Sequence, residues 1–126
     1  MIVDSSALIA ILRGEPEEAE FRRILEVRKE TYISAGTLIE ARIMATSLNV
    51  VRELNELVSE LAISTIAVDD SQAHIASMGF AKYGKGRHPA GLNFGDLFAY
   101  ALAMLRDEPL LFTGADFAKT DVKRAI

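Results

Sequence analysis

Four acids in this chain stand where chemistry could use them: Asp4, Glu40, Asp96 and Asp116. Each falls just past a short apolar run or near the start of a stretch with helical spacing. Met1-Ile2-Val3 reads as a buried strand whose carboxyl end presents Asp4, with Ser5 or Ser6 capping the helix that continues through Ala7 to Leu12. In an open parallel sheet, ligands bind outside the carboxyl ends of the strands, so an acid there is well placed. A lone Asp after a strand is more often a cap or turn residue, and it is the repetition at other elements that raises the functional reading. If those ends meet, four carboxylates converge. Two such charges about 4 Å apart repel by roughly 4 kcal/mol near a protein surface, so the cluster calls for protons or cations. With oxygen donors only, no cysteine and no suitable histidine pair, the cation is a hard one, Mg2+ or Mn2+. A metal held in this way can lower the pKa of a bound water and clamp a phosphoryl oxygen, which is the chemistry of phosphodiester hydrolysis.

The elements that must position these acids follow from the pattern along the chain. Arg13-Gly14-Glu15-Pro16 breaks the first helix, and a second is expected from about Glu17 to Arg28. Thr31-Tyr32-Ile33 reads as a second strand, and Ser34 caps a helix that carries Glu40 in its second turn. Asn49 marks a helix end, and Val51 to Leu61 has helical spacing, so the two helices form an antiparallel hairpin. Ile63 to Val68 is a third strand, followed by a helix from Gln72 to about Tyr83 capped within Asp69-Asp70-Ser71; those two acids read better as caps than as site residues. Asn93 caps a helix from Asp96 to Arg106, where the plainer role for Asp96 is to complement the helix dipole. Leu110 to Thr113 is the last strand and repeats the opening design, an apolar run followed by a hydroxyl and an acid. Strand and helix in alternation predict an α/β fold, a central, mostly parallel sheet flanked by helices on both faces.

Length and composition set the bounds. A chain of 126 residues, half hydrophobic and a quarter charged, is expected to form one globular domain, residues 1–126, rather than a disordered segment. The absence of cysteine excludes disulfides, thiolate zinc sites and a catalytic thiol. No basic segment precedes an apolar run at the N-terminus and no run reaches membrane-spanning length, which places the chain in the cytoplasm with no membrane partner. The net charge of −4 argues against a general nucleic-acid coating protein, yet an acidic cleft can still meet nucleic acid through a metal. The loop from Gly84 to Asn93 carries Lys85, Arg87 and His88 just ahead of Asp96; such loops are usually solvated, but these groups are candidates for gripping a phosphate backbone. His74 reads as a helix surface residue. The methionines at 1, 44, 78 and 104 suit packing or a subunit interface.

Four fragments in series, Ile2-Val3-Asp4-Ser5-Ser6-Ala7-Leu8, Ser34-Ala35-Gly36-Thr37-Leu38-Ile39-Glu40-Ala41, Leu92-Asn93-Phe94-Gly95-Asp96 and Phe112-Thr113-Gly114-Ala115-Asp116-Phe117 with Thr120-Asp121, resemble in order and spacing the motifs of PIN-domain ribonucleases of the VapC toxin family. The resemblance covers the whole chain, and the Gly-Arg-His-Pro loop is more like VapC toxins than PIN nucleases at large. It implies a PIN-like fold, Mg2+- or Mn2+-dependent endoribonuclease activity, and a VapB-like antitoxin as partner. Asp4 and Asp96 would be the principal metal ligands, and Glu40 and Asp116 would complete the catalytic cluster, Asp116 as a further metal ligand, directly or through water. Ser6 and Thr113 would orient these carboxylates or a coordinated water. Ala115 stands where the family often has a polar residue, and Asp121 would be peripheral.

Three functions from different classes follow: a toxin endoribonuclease of a type II toxin–antitoxin system, a PIN-type RNA-processing nuclease without antitoxin, and an inactive domain that binds RNA or protein. Retention of all four acids favours an enzyme, and a chain that is only the nuclease favours the toxin. Aspartyl-phosphate enzymes fit less well, since the Asp-x-Asp pair and the Thr and Lys pair they use are missing. Apolar surface left over after a small core is filled predicts a homodimer.

Overall fold

The structure, a computed structural model, describes all 126 residues. Four short strands, β1 (Ile2–Val3), β2 (Tyr32–Ser34), β3 (Ser64–Ile66) and β4 (Leu110–Leu111), form one all-parallel sheet in the order β3-β2-β1-β4. β1 is central. The chain winds from β1 outward through β2 to β3 and then returns to place β4 on the other side of β1, so the carboxyl end of β1 lies at the topological switch point where open α/β sheets build their sites.

Alternation along the strands fixes which face each residue fills. Val3 and Leu111 point to one side and pack with Leu8 and Ile11 of α1 (Ser5–Leu12), Phe21 and Leu25 of α2 (Glu18–Val27), Ala41 of α3 (Ala35–Ser47) and Leu54 of α4 (Val51–Glu60). Ile2 and Leu110 point to the other, against Tyr83 of α5 (Asp70–Tyr83) and Ala99, Tyr100 and Leu102 of α6 (Phe94–Arg106). The register pairs Ile2 with Leu110 and Val3 with Leu111, so β1 and its neighbour β4 supply matching residues to both cores. A sheet covered on both faces needs apolar residues at every position of a buried strand, and both the inner strand β1 and the edge strand β4 have them.

Several boundaries differ from the expectations. The first helix is capped by Asp4, whose side chain accepts from the Ser6 backbone N–H, and not by Ser5 or Ser6. The last strand stops at Leu111, and the third covers only Ser64–Ile66. Ser34, Asp69 and Asn93 do cap α3, α5 and α6. Asn49, at φ 58°, turns the α3–α4 hairpin in the left-handed region that Asn tolerates.

Gly36 lets α3 close on α6. A Cβ built there would stand 2.3 Å from the Phe98 ring, so the aromatic face lies directly on the helix backbone. This packing sets the distance between the helix that carries Glu40 and the one that carries Asp96. Gly36→Ala is therefore expected to destabilise the fold by about 1–3 kcal/mol through overpacking. Urea unfolding checks this, and a loss that persists unchanged in a Phe98→Ala background would contradict the stated cause.

Candidate active site

Asp4 leaves β1 with its backbone N–H bonded to Leu111 O at 2.9 Å, which ties it to the end of β4. Its side chain is 3% exposed. Oδ2 accepts from the Ser6 N–H at 3.1 Å and from the Ser6 hydroxyl at 2.6 Å. The Ser6 oxygen in turn accepts from the Thr113 backbone N–H at 3.1 Å, so the hydroxyl proton is directed at Asp4. Oδ1 is buried and accepts no hydrogen bond. A buried carboxylate with one bare oxygen is costly to ionise, because nothing replaces the water it has lost. Burial accordingly pushes the Asp4 carboxyl up from 3.8 to about 6; the Ser6 bonds oppose the rise, and the charges of Asp96 and Glu40 add to it.

Glu40 and Asp96 are each held by a nearby donor. Glu40 Oε1 accepts from the Ser5 hydroxyl at 2.6 Å. Asp96 Oδ2 accepts from the Asn93 N–H at 2.9 Å while Asn93 Oδ1 accepts from the Asp96 N–H at 3.0 Å, a reciprocal capping box. Burial raises the Asp96 pKa, the Asn93 bond lowers it, and Glu40 and Asp116 raise it further. Asp116 is exposed, at the start of a 3-10 turn over Phe117–Lys119.

The sequence-predicted acids thus reach one edge of the sheet and feel one another's charge, but they do not converge as a finished chelate: no three His, Asp or Glu side chains stand close enough to hold an ion in their present rotamers. Repulsion disfavours closer approach, and the Ser5, Ser6 and Asn93 donors fix Glu40, Asp4 and Asp96 where they stand. The donor set nonetheless fits a hard divalent cation. It is all oxygen, it is strongly acidic, and Asp4 Oδ1 is a desolvated ligand atom without a partner.

Thr113 contributes its backbone N–H to Ser6, and its hydroxyl bonds to no carboxylate. Asp121 accepts from the Tyr100 hydroxyl at 3.0 Å, which braces α6. In the loop, His88 Nδ1 accepts from the Ala90 N–H at 3.0 Å and its ring stands edge-on to Tyr83, so it holds the loop's own shape. Arg87 Nε donates to Ala81 O at 3.1 Å, and Lys85 is exposed. His74 is a surface residue. Ser5 is the residue that sequence reasoning missed: the pair Ser5-Ser6 offers one hydroxyl to Glu40 and one to Asp4, and only the doubling of the hydroxyl marked it.

A family model described as PIN domain matches residues 1–123. Ribonuclease VapC28 of Mycobacterium tuberculosis is 43% identical over 130 residues, spanning 100% of this chain and 98% of its own length. The chain belongs to the PIN-domain family, among its VapC-type ribonuclease toxins. Ribonuclease VapC of Mycolicibacterium smegmatis is 40% identical over 129 residues, covering 97% of each chain. Among solved structures, the sarcin-ricin loop cleaving toxin VapC20 of M. tuberculosis superposes with a TM-score of 0.75 at 12% identity, over 96% of this chain and 95% of that one. A toxin–antitoxin complex from Klebsiella pneumoniae gives a TM-score of 0.72 at 20% identity, over 95% and 92%. At such identities the structural matches establish the PIN-like fold of this VapC-type chain and nothing finer.

The Asp4 environment sets a pH dependence. A carboxyl whose pKa is raised on folding contributes stability that is fully present below its ordinary value and is lost as pH rises through the folded value. Metal-free protein should therefore lose up to ~3 kcal/mol from Asp4 between pH 4 and pH 7, the linkage equivalent of moving a pKa from 3.8 to about 6. Urea unfolding with chelator at both pH values should show the Asp4→Asn protein gaining on the wild type at pH 7 relative to pH 4. Parallel pH profiles would contradict the assignment.

Proposed function

We propose that the chain is a metal-dependent endoribonuclease that acts as the toxin of a type II toxin–antitoxin pair. The single observation that carries the reading is the Asp4 carboxylate, buried at the switch point with a bare oxygen and coupled to Asp96 and Glu40. Its support is the company of relatives named as VapC ribonucleases along their full lengths. Asp4 and Asp96 would hold Mg2+ or Mn2+, with Glu40 and Asp116 completing the set directly or through water. The cation supplies charge that answers the carboxylates and polarises a water and the scissile phosphate. The chain's own residues do the rest. Ser6 keeps Oδ2 of Asp4 occupied and leaves Oδ1 without a partner for a cation to answer, Ser5 and Asn93 hold Glu40 and Asp96, and Asp116, exposed, is free to swing in. RNA would be gripped by Lys85 and Arg87 at the loop that leads into α6.

An antitoxin segment would answer the same acids with a cationic side chain. The apolar part of its docking face would be α3 with its C-cap, exposed at Ile39, Ile43, Met44 and Leu48, since the outer face of α4 carries Arg52, Glu53, Glu56 and Glu60. A second copy would cover the apolar groove between α5 and α6 lined by Val68, Phe80, Phe94, Leu97 and Phe98, where Phe94 is 77% exposed.

With Mn2+ present, purified protein should cut single-stranded RNA internally; EDTA should stop it, and Asp4→Asn or Asp96→Asn should each reduce the rate by ~100-fold or more. Cleavage indifferent to chelator or to both substitutions would rule the reading out. Neutralising Lys85 and Arg87 together should flatten the log-log salt dependence of RNA binding by roughly 0.7 for each phosphate that is no longer neutralised. A fluorescence-anisotropy salt series with an unchanged slope would return the loop to a solvated connection.

A further inference from the structure

Glu40 is held from two sides. Buried Ser5 donates its hydroxyl to Oε1 at 2.6 Å. On the opposite side the carboxylate fills the space that a side chain at position 95 would need: a Cβ built on Gly95 would stand 1.7 Å from Glu40 Oε2. Gly95 lies in the first turn of α6, immediately before Asp96, and its φ is not left-handed. The backbone therefore makes no demand for glycine there, and alanine would be the better helix former. What an added methyl excludes is the Glu40 carboxylate.

We infer that Ser5 and Gly95 are positioning residues that together form a seat for the Glu40 carboxylate beside Asp96, at the positive end of α6. The seat draws its parts from three elements. Ser5 fixes one oxygen from α1, Gly95 admits the other against the backbone of α6, and the side chain arrives from α3. Because the clash at Gly95 is with the far end of a flexible side chain, a methyl group there turns Glu40 out of the site without moving the backbone. The fold survives and the seat is lost. This inference rests on the reading of the acids as a cation site, and the test separates the two.

Mn2+ itself is the probe, titrated into the full chain by isothermal calorimetry, with the melting temperature of the metal-free protein measured alongside. Gly95→Ala should weaken Mn2+ binding about tenfold, the lower end for a group that orients ligands, while the metal-free melting temperature stays level or rises. Glu40→Ala should weaken binding comparably, and adding Gly95→Ala to it should cost nothing more, since there is then no carboxylate to displace. Ser5→Ala should weaken binding in the same non-additive way, and Ser5→Thr should restore it. Wild-type affinity in Gly95→Ala and Ser5→Ala, or losses that add in full to that of Glu40→Ala, would overturn the seat. If Asp4→Asn and Asp96→Asn also bind Mn2+ as the wild type does, the cation reading itself falls; if those two lose affinity while Gly95→Ala and Ser5→Ala do not, only the seat falls.

Discussion

The structure depends on a carboxylate that has been taken out of water and given only half of the partners it needs. Asp4 caps α1 through Oδ2, and the same atom receives the Ser6 hydroxyl; Oδ1 receives nothing. The strand that carries it is two residues long and central to the sheet, tied to β2 and β4 at once. It cannot move aside to rehydrate the acid without breaking both apolar layers, because Ile2 fills one and Val3 the other. The cost of burying that charge is therefore built into the fold, and a proton or a cation relieves it.

Around this centre the remaining acids are restrained by donors that also serve the architecture. The capping box that starts α6 is the interaction that holds Asp96, and the first turn of α1 supplies the hydroxyl that holds Glu40. Local structure and site geometry are the same bonds. This explains why the acids share one edge and sense one another while no three of them meet: Asp4, Glu40 and Asp96 each have a neutral partner nearby that lowers their energy in the absence of a counter-charge. The close approach of α3 to α6 at Gly36, where a ring lies against bare backbone, sets how far apart those restrained groups stand.

Much of this is legible in the chain because it is local. The caps Ser34, Asp69 and Asn93 act within three residues of themselves, and the alternation of strand and helix is written in short apolar runs. What is not legible depends on distance in sequence. Ser5 reaches Glu40 across 35 residues, Asp121 meets Tyr100 across 21, and the Thr113 N–H reaches Ser6 across 107. No spacing rule encodes such bonds. How closely four carboxylates converge is not set by sequence for a different reason: strand-end position brings acids to one edge, but their rotamers answer to repulsion and to the nearest donor. Periodicity also cannot distinguish a stripe that faces the core, as Leu54 and Leu57 do, from one left in solvent, as Ile39 and Ile43 are.

The most direct measurement is an anomalous difference map from crystals of the chain grown or soaked in Mn2+. The account predicts a peak bonded to Asp4 Oδ1 and shared with Asp96, with the Ser6 hydroxyl still on Oδ2. A fully occupied Mn2+ peak elsewhere, or none at Asp4 while other surface carboxylates bind the ion, would contradict it.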